Sequence, residues 1–192
     1  MRLPLISLVC LLVSAGATAA DAEFYLGAGI ARRDGDLLPA STSVDRTGYT
    51  AFVGIRPARA LAIEAGYINL GGDELNVPPV CCDVPYYFSQ SLRGIDVFAT
   101  GFWSISNVDL FGKIGVIEWR SRTLVVGGLA GSIQYNRSGN GLAYGAGAQL
   151  NFHNFGARAE YTRFDTQDTN IGAGLSFGNQ SAISLSVLWK FL

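Results

Sequence analysis

The segment Ala182-Ile183-Ser184-Leu185-Ser186-Val187-Leu188-Trp189-Lys190-Phe191 alternates apolar and polar residues almost without fault. On a β-strand successive side chains point to opposite faces. Ile183, Leu185, Val187, Trp189 and Phe191 therefore share one face, and Ser184, Ser186 and Lys190 share the other. A strand that is apolar outside and polar inside suits a closed barrel whose solvent is lipid.

Working back from this segment, the same period of two predicts seven further strands, at 23–33, 48–57, 61–71, 91–103, 108–119, 141–152 and 155–165. With 182–191 they make eight. The connections alternate in length. Tight links fall at Ala58-Arg59-Ala60, Ser104-Ile105-Ser106-Asn107 and His153-Asn154, while those at 34–47, 72–90, 120–140 and 166–181 are several times longer. Short turns at one end and long loops at the other mark an outer-membrane barrel. In hydrocarbon every backbone N–H and C=O needs an internal partner, and strands supply all of them only in a closed ring. The expected fold is an all-β, eight-stranded, antiparallel up-and-down transmembrane barrel with short periplasmic turns and long extracellular loops. Segment 170–178 also alternates and is read as part of the last long loop, since counting it would give nine strands.

The N-terminus carries a different signal. Arg2, an apolar run from Leu3 to Val13 and small residues through Ala15, Ala17, Ala19 and Ala20 form the pattern of a secretory signal peptide. Residues 1–20 are expected to be this signal and residues 21–192 the barrel domain. After the signal, no apolar run reaches the roughly 18 residues a membrane helix needs. The formal net charge of −1 gives no electrostatic support for binding nucleic acid.

If the apolar parity faces lipid, charges at strand centres fall on the inward parity. Glu64, Asp96, Lys113, Arg158 and Glu160 do so. A lipid-facing Lys or Arg near the midplane would cost roughly 2–4 kcal/mol. The five are expected to form an interior ion-pair network, either as a gate or ion pathway or as a paired plug that fills the lumen. Eight strands leave an interior just wide enough for side chains, and Phe52, Phe98 and Phe102 share the inward parity, which favours the plug. Phe24, Tyr49, Tyr67, Trp103, Phe152, Phe155, Trp189 and Phe191 gather near strand ends on the lipid face, as two interfacial girdles require.

Catalysis has little to draw on. The one histidine, His153, falls in a tight turn, whereas hydrolases of similar architecture need a His beside a Ser or Asp. Gly-x-Gly pairs at Gly27/Gly29, Gly139/Gly141, Gly145/Gly147 and Gly172/Gly174 lack the third glycine of a dinucleotide fingerprint. No enzyme activity, metal or cofactor is expected. Cys81 and Cys82 lie in a Pro-flanked loop. Adjacent cysteines bridge only through a strained ring, which leaves a vicinal disulfide, two thiols or an intermolecular bridge open. Arg120, Arg122 and Arg137 make the 120–140 connection basic. They either meet lipopolysaccharide phosphates, whose geometry suits guanidinium, or belong to a solvated loop.

Four segments carry a family likeness: Phe24-Tyr25-Leu26-Gly27-Ala28-Gly29, Leu61-Ala62-Ile63-Glu64-Ala65-Gly66-Tyr67, Phe111-Gly112-Lys113-Ile114-Gly115-Val116 and Arg158-Ala159-Glu160-Tyr161-Thr162-Arg163-Phe164. Together they resemble the eight-stranded outer-membrane barrels of the OmpA/OmpX type, in the barrel domain alone, without a periplasmic peptidoglycan-binding domain. By that resemblance Glu64, Lys113, Arg158 and Glu160 match the family's inward charged positions. The resemblance also implies an assembly signal at Trp189 and Phe191 for the barrel-assembly machinery, although here Leu192 follows the aromatic residue. The expectation is a bacterial outer-membrane protein without enzymatic activity, serving envelope integrity or surface interaction through its loops. Its partners would be membrane lipid, lipopolysaccharide and an unspecified extracellular ligand. A narrow channel for ions or small solutes is the competing reading.

Overall fold

A computed structural model describes residues 22–34, 43–45, 47–77, 86–126, 131–165 and 180–191. The N-terminal segment read as a signal peptide, Cys81, Cys82 and the alternating segment 170–178 lie outside these residues. The described chain is strand and tight turn. Its elements are β1 (Glu23–Asp34), β2 (Ser43–Asp45), β3 (Thr47–Ala58), β4 (Leu61–Val77), β5 (Tyr86–Ile105), β6 (Val108–Val126), β7 (Ser132–Phe152), β8 (Phe155–Asp165) and β9 (Gln180–Phe191). The short β2 pairs with the same edge of β4 as β3 does. It extends that stave, so the ring has eight.

Every neighbouring pair is antiparallel. β1 pairs with both β3 and β9, and the series runs on through β8, β7, β6 and β5 until β5 meets β4. The ring is thereby closed, and no edge is left at the level where lipid surrounds it. At the termini Phe24 faces Phe191 in register, and Lys190 Nζ meets Glu23 Oε1 at 3.2 Å. The three predicted tight links are present, centred on Arg59-Ala60, Ser106-Asn107 and His153-Asn154. Ser106 and His153 each take a left-handed φ, near 56° and 50°.

Parity follows the reading of the sequence. Ile183, Leu185, Val187, Trp189 and Phe191 are exposed on the outer surface, while Ser184, Ser186 and Leu188 are buried within. The girdle aromatics Phe24, Tyr49, Trp103, Phe152 and Phe155 also face outward, and Phe155, Trp189 and Phe191 stack in series near the periplasmic end. Inside, small residues make room for large ones. A Cβ at Gly54 would collide with the Tyr25 ring, and one at Gly27 would collide with Phe52.

Strand length departs from expectation. β4, β5, β6 and β7 run well past the predicted outer bounds at 71, 91, 119 and 141. Much of what was read as long loop at 72–90 and 120–140 is hairpin, and Arg120, Arg122 and Arg137 lie on strands. The reason is physical: above the membrane both faces of a hairpin meet water. The residues from Ser132 to Asn136 are all exposed regardless of parity. The ladder of backbone hydrogen bonds continues there, but the alternation that reveals it in sequence does not.

Candidate functional site

The lumen is filled in layers. Near the periplasmic end Arg56 forms an ion pair with Asp109 (Nη1–Oδ2, 3.0 Å) and lies 4.2 Å from the centre of the Phe102 ring. Its Nε and Nη2 donate to the Arg59 carbonyl, and Asn151 donates to Asp109 at 3.0 Å. This latch ties β3 and its turn to β6 and β7.

Above it Arg158 crosses the lumen from β8. Its Nη1 donates to Glu64 Oε1 at 2.8 Å, and its Nε and Nη2 donate to Gln149 Oε1 at 3.1 and 2.8 Å. The Tyr25 hydroxyl donates to the same Glu64 oxygen at 2.5 Å. The guanidinium sits 4.7 Å from the centres of both the Phe52 and the Phe111 ring. A planar cation between two aromatic faces, with a carboxylate and an amide at its edge, uses every recognition mode open to arginine. Arg158 and Glu64 are both 2% exposed, so the pair is dry as well as linked.

The next layer holds Lys113, whose Nζ meets Glu160 Oε1 at 2.7 Å and lies 4.1 Å from the Phe98 ring centre. Thr162 also donates to Glu160. Asp96 faces a cavity of about 10 Å³ lined by Lys113, Glu160 and Glu64, without a direct ion pair among the described residues. That volume holds about one water. All five charges expected inside the barrel are therefore inside it. They resolve into two separate ion pairs and a neighbouring carboxylate rather than one network.

Towards the outer mouth an apolar layer fills the lumen, with the buried polar side chains Arg33, Gln90 and Ser121 beside it. Ile68, Leu70, Leu92, Phe98, Ile117, Trp119 and Phe164 are buried against one another. Sequence reasoning placed Phe98 inside, as part of a plugged lumen, but did not foresee the rest of this layer. It also missed Tyr25, Arg33, Arg56, Asp109 and Gln149, all buried on the inward parity. Parity extended to the strand ends would have found them.

On the outer surface a groove of about 370 Å³ opens where the apolar band ends, lined by Asn69, Ser91, Arg93, Arg120, Arg122 and Ser138 among others. Arg120 and Arg122 point outward, and Arg93, which sequence reasoning passed over, joins them. Arg137 also lines the groove but is half-buried and is the register partner of the buried Ser121. Higher on the hairpin of β4 and β5, a hydrogen bond to Glu74 raises the Tyr87 phenol above its ordinary pKa. No set of three metal-ligating side chains occurs among the described residues. His153 is exposed in its turn.

A family model for the outer membrane protein beta-barrel domain matches residues 5–191. The chain belongs to that family. Solved structures agree on the fold. Ail of Yersinia pestis, in complex with the heparin analogue sucrose octasulfate, matches with a TM-score of 0.56 at 17% identity, covering 89% of this chain and 99% of Ail. OprG of Pseudomonas aeruginosa gives 0.55 at 12% identity over 88% of this chain and 96% of its own. A major outer membrane protein of Thermus thermophilus gives 0.53 at 11% identity over 89% and 100%. No curated protein matches the chain by sequence. The protein is thus an eight-stranded barrel of the bacterial outer membrane.

Proposed function

We propose that this protein is a closed, non-enzymatic outer-membrane barrel that serves envelope integrity or surface interaction through its extracellular hairpins. The single observation that carries the reading is the Arg158 crossing. One guanidinium, held by Glu64 and Gln149 between Phe52 and Phe111, joins opposite walls of the lumen. Parting this pair would leave two charges uncompensated in a dry interior, which favours the shut lumen. The apolar layer above it and the Arg56–Asp109 latch below it support the same reading. What remains for contact with the outside is the set of hairpins that rise above the lipid, together with the outer wall. Trp189 and Phe191, in a stacked run on the closing strand, suit recognition by the barrel-assembly machinery.

The test is single-channel recording on the purified, refolded mature chain in planar bilayers, with folding confirmed by heat-modifiable migration. A silent bilayer is the expected result. Reproducible conductance steps would overturn the closed-barrel reading in favour of a narrow channel.

A further inference from the structure

From Trp103 to Arg93, β5 climbs about 26 Å along the barrel axis, at a rise of about 3.4 Å per residue and a tilt of about 40°. The apolar band of such barrels is about 25 Å tall. Outward side chains change character across that boundary. Ile95 and Val116 end the continuous apolar run on the outer faces of β5 and β6, and Arg93, Glu118, Arg120 and Arg122 follow. These arginines stand where the headgroups of the outer leaflet begin.

The register makes the cluster unfavourable on its own. Arg93 and Arg120 are direct cross-strand partners, and Arg122 follows on the same face of β6. Like charges placed directly opposite on a sheet destabilise it. Glu118 is the one acidic residue lining the two grooves here among the described residues. It reaches Arg120 Nη2 at 3.2 Å, with both side chains well exposed, and an exposed pair of this kind contributes little. Arg93 lines the lower groove beside Tyr67 and forms no ion pair among the described residues, which leaves its charge uncompensated. Three guanidiniums with one carboxylate at a lipid boundary call for an external anion.

The shape of the site indicates which kind. Directly below the polar groove a second one, of about 250 Å³, is lined by Tyr67, Ile95 and Glu118 and shares Arg93 and Arg120 with the first. Tyr67 packs against Tyr49 at 5.9 Å between ring centres. A cationic rim above an aromatic and aliphatic shelf fits an amphiphile. A soluble polyanion would use the rim alone.

We propose that Arg93, Arg120 and Arg122 form a clamp for a phosphate group of the phosphorylated saccharolipid of the outer leaflet, with Tyr67 and Ile95 against the part of that lipid nearest the acyl chains. Guanidinium pairs bind phosphate through paired, charge-assisted hydrogen bonds. The inference rests on the outer-membrane placement and requires neither the closed lumen nor a role for the hairpins.

The test reconstitutes the full mature chain in phosphatidylcholine nanodiscs doped with diphosphoryl lipid A or with its dephosphorylated form, then measures the lipid A that stays with the protein through mild detergent extraction. The native chain is expected to retain the diphosphoryl form selectively. The double variant R93Q/R120Q should lose about tenfold in retention. E118Q, which frees Arg120, should retain more than the native chain. Heat-modifiable migration establishes that each variant is folded. Equal retention of the two lipid A forms, or undiminished retention by R93Q/R120Q, would overturn the proposal. So would loss of heparin binding in R93Q/R120Q with lipid A retention unchanged, which would assign the arginines to a soluble polyanion. None of these outcomes bears on conductance, so the closed-barrel reading stands or falls separately.

Discussion

At the scale of single residues, the interior is held by a few demanding contacts. Arg158 and Glu64 have given up water entirely, and each is compensated by the other together with Gln149, Tyr25 and two aromatic faces. Removing one partner leaves a buried charge, which costs far more than the pair itself contributes. E64Q and R158M are each expected to lower unfolding stability by about 3–5 kcal/mol, and the double variant should lose clearly less than the sum, since no orphaned charge remains. Urea titration followed by tryptophan fluorescence in lipid vesicles measures all three. Strictly additive losses would show that the two side chains act independently. Glu64, Asp96, Lys113, Arg158 and Glu160 were legible in the sequence because a charge flanked by apolar neighbours at period two has one tolerable direction in a membrane. Their partners were not, because pairing across the lumen depends on which staves stand opposite one another.

At the scale of elements, each strand has two regimes. Between the aromatic girdles one face meets lipid and the other the packed lumen, so an outward charge is costly. I114R, on the outer face of β6, is expected to destabilise the barrel by about 2–4 kcal/mol. Above the girdle both faces meet water, and I133R on β7 should change stability by no more than about 0.5 kcal/mol. The same unfolding titration compares the two, and a similar loss for both would show that the upper hairpin is embedded as well. This change of surroundings explains the error in strand length. Lipid against an apolar lumen imprints alternation on a sequence, whereas a level at which outward arginines flank the inward, polar Ser121 imprints none, and so Arg120, Arg122 and Arg137 read as loop residues. Arg93 was missed for the complementary reason: it sits at the start of a strand that reads clearly, and its importance comes only from standing opposite Arg120.

At the scale of the whole molecule, closure separates the barrel from what it carries. The ring is complete at the level of the lipid, and the hairpin of β6 and β7 rises beyond it with Thr123 and Tyr135 in register. Joining those two residues through an Asn-Gly turn, with residues 124–134 removed, should leave a barrel that folds and migrates heat-modifiably, because two-residue turns of this type suit the twist of antiparallel pairs. Failure to fold would mean that the upper hairpin takes part in assembly. The class of fold, the number of staves, the direction of each face and the turns at the periplasmic end can all be read along the chain, because each follows from local alternation imposed by two different solvents. Four features cannot: how the interior charges divide into pairs, the assembly of an apolar layer in the outer half of the lumen, the height of the hairpins, and the meeting of three arginines from two strands at the edge of the membrane. These depend on register between strands, and register arises when the ring closes.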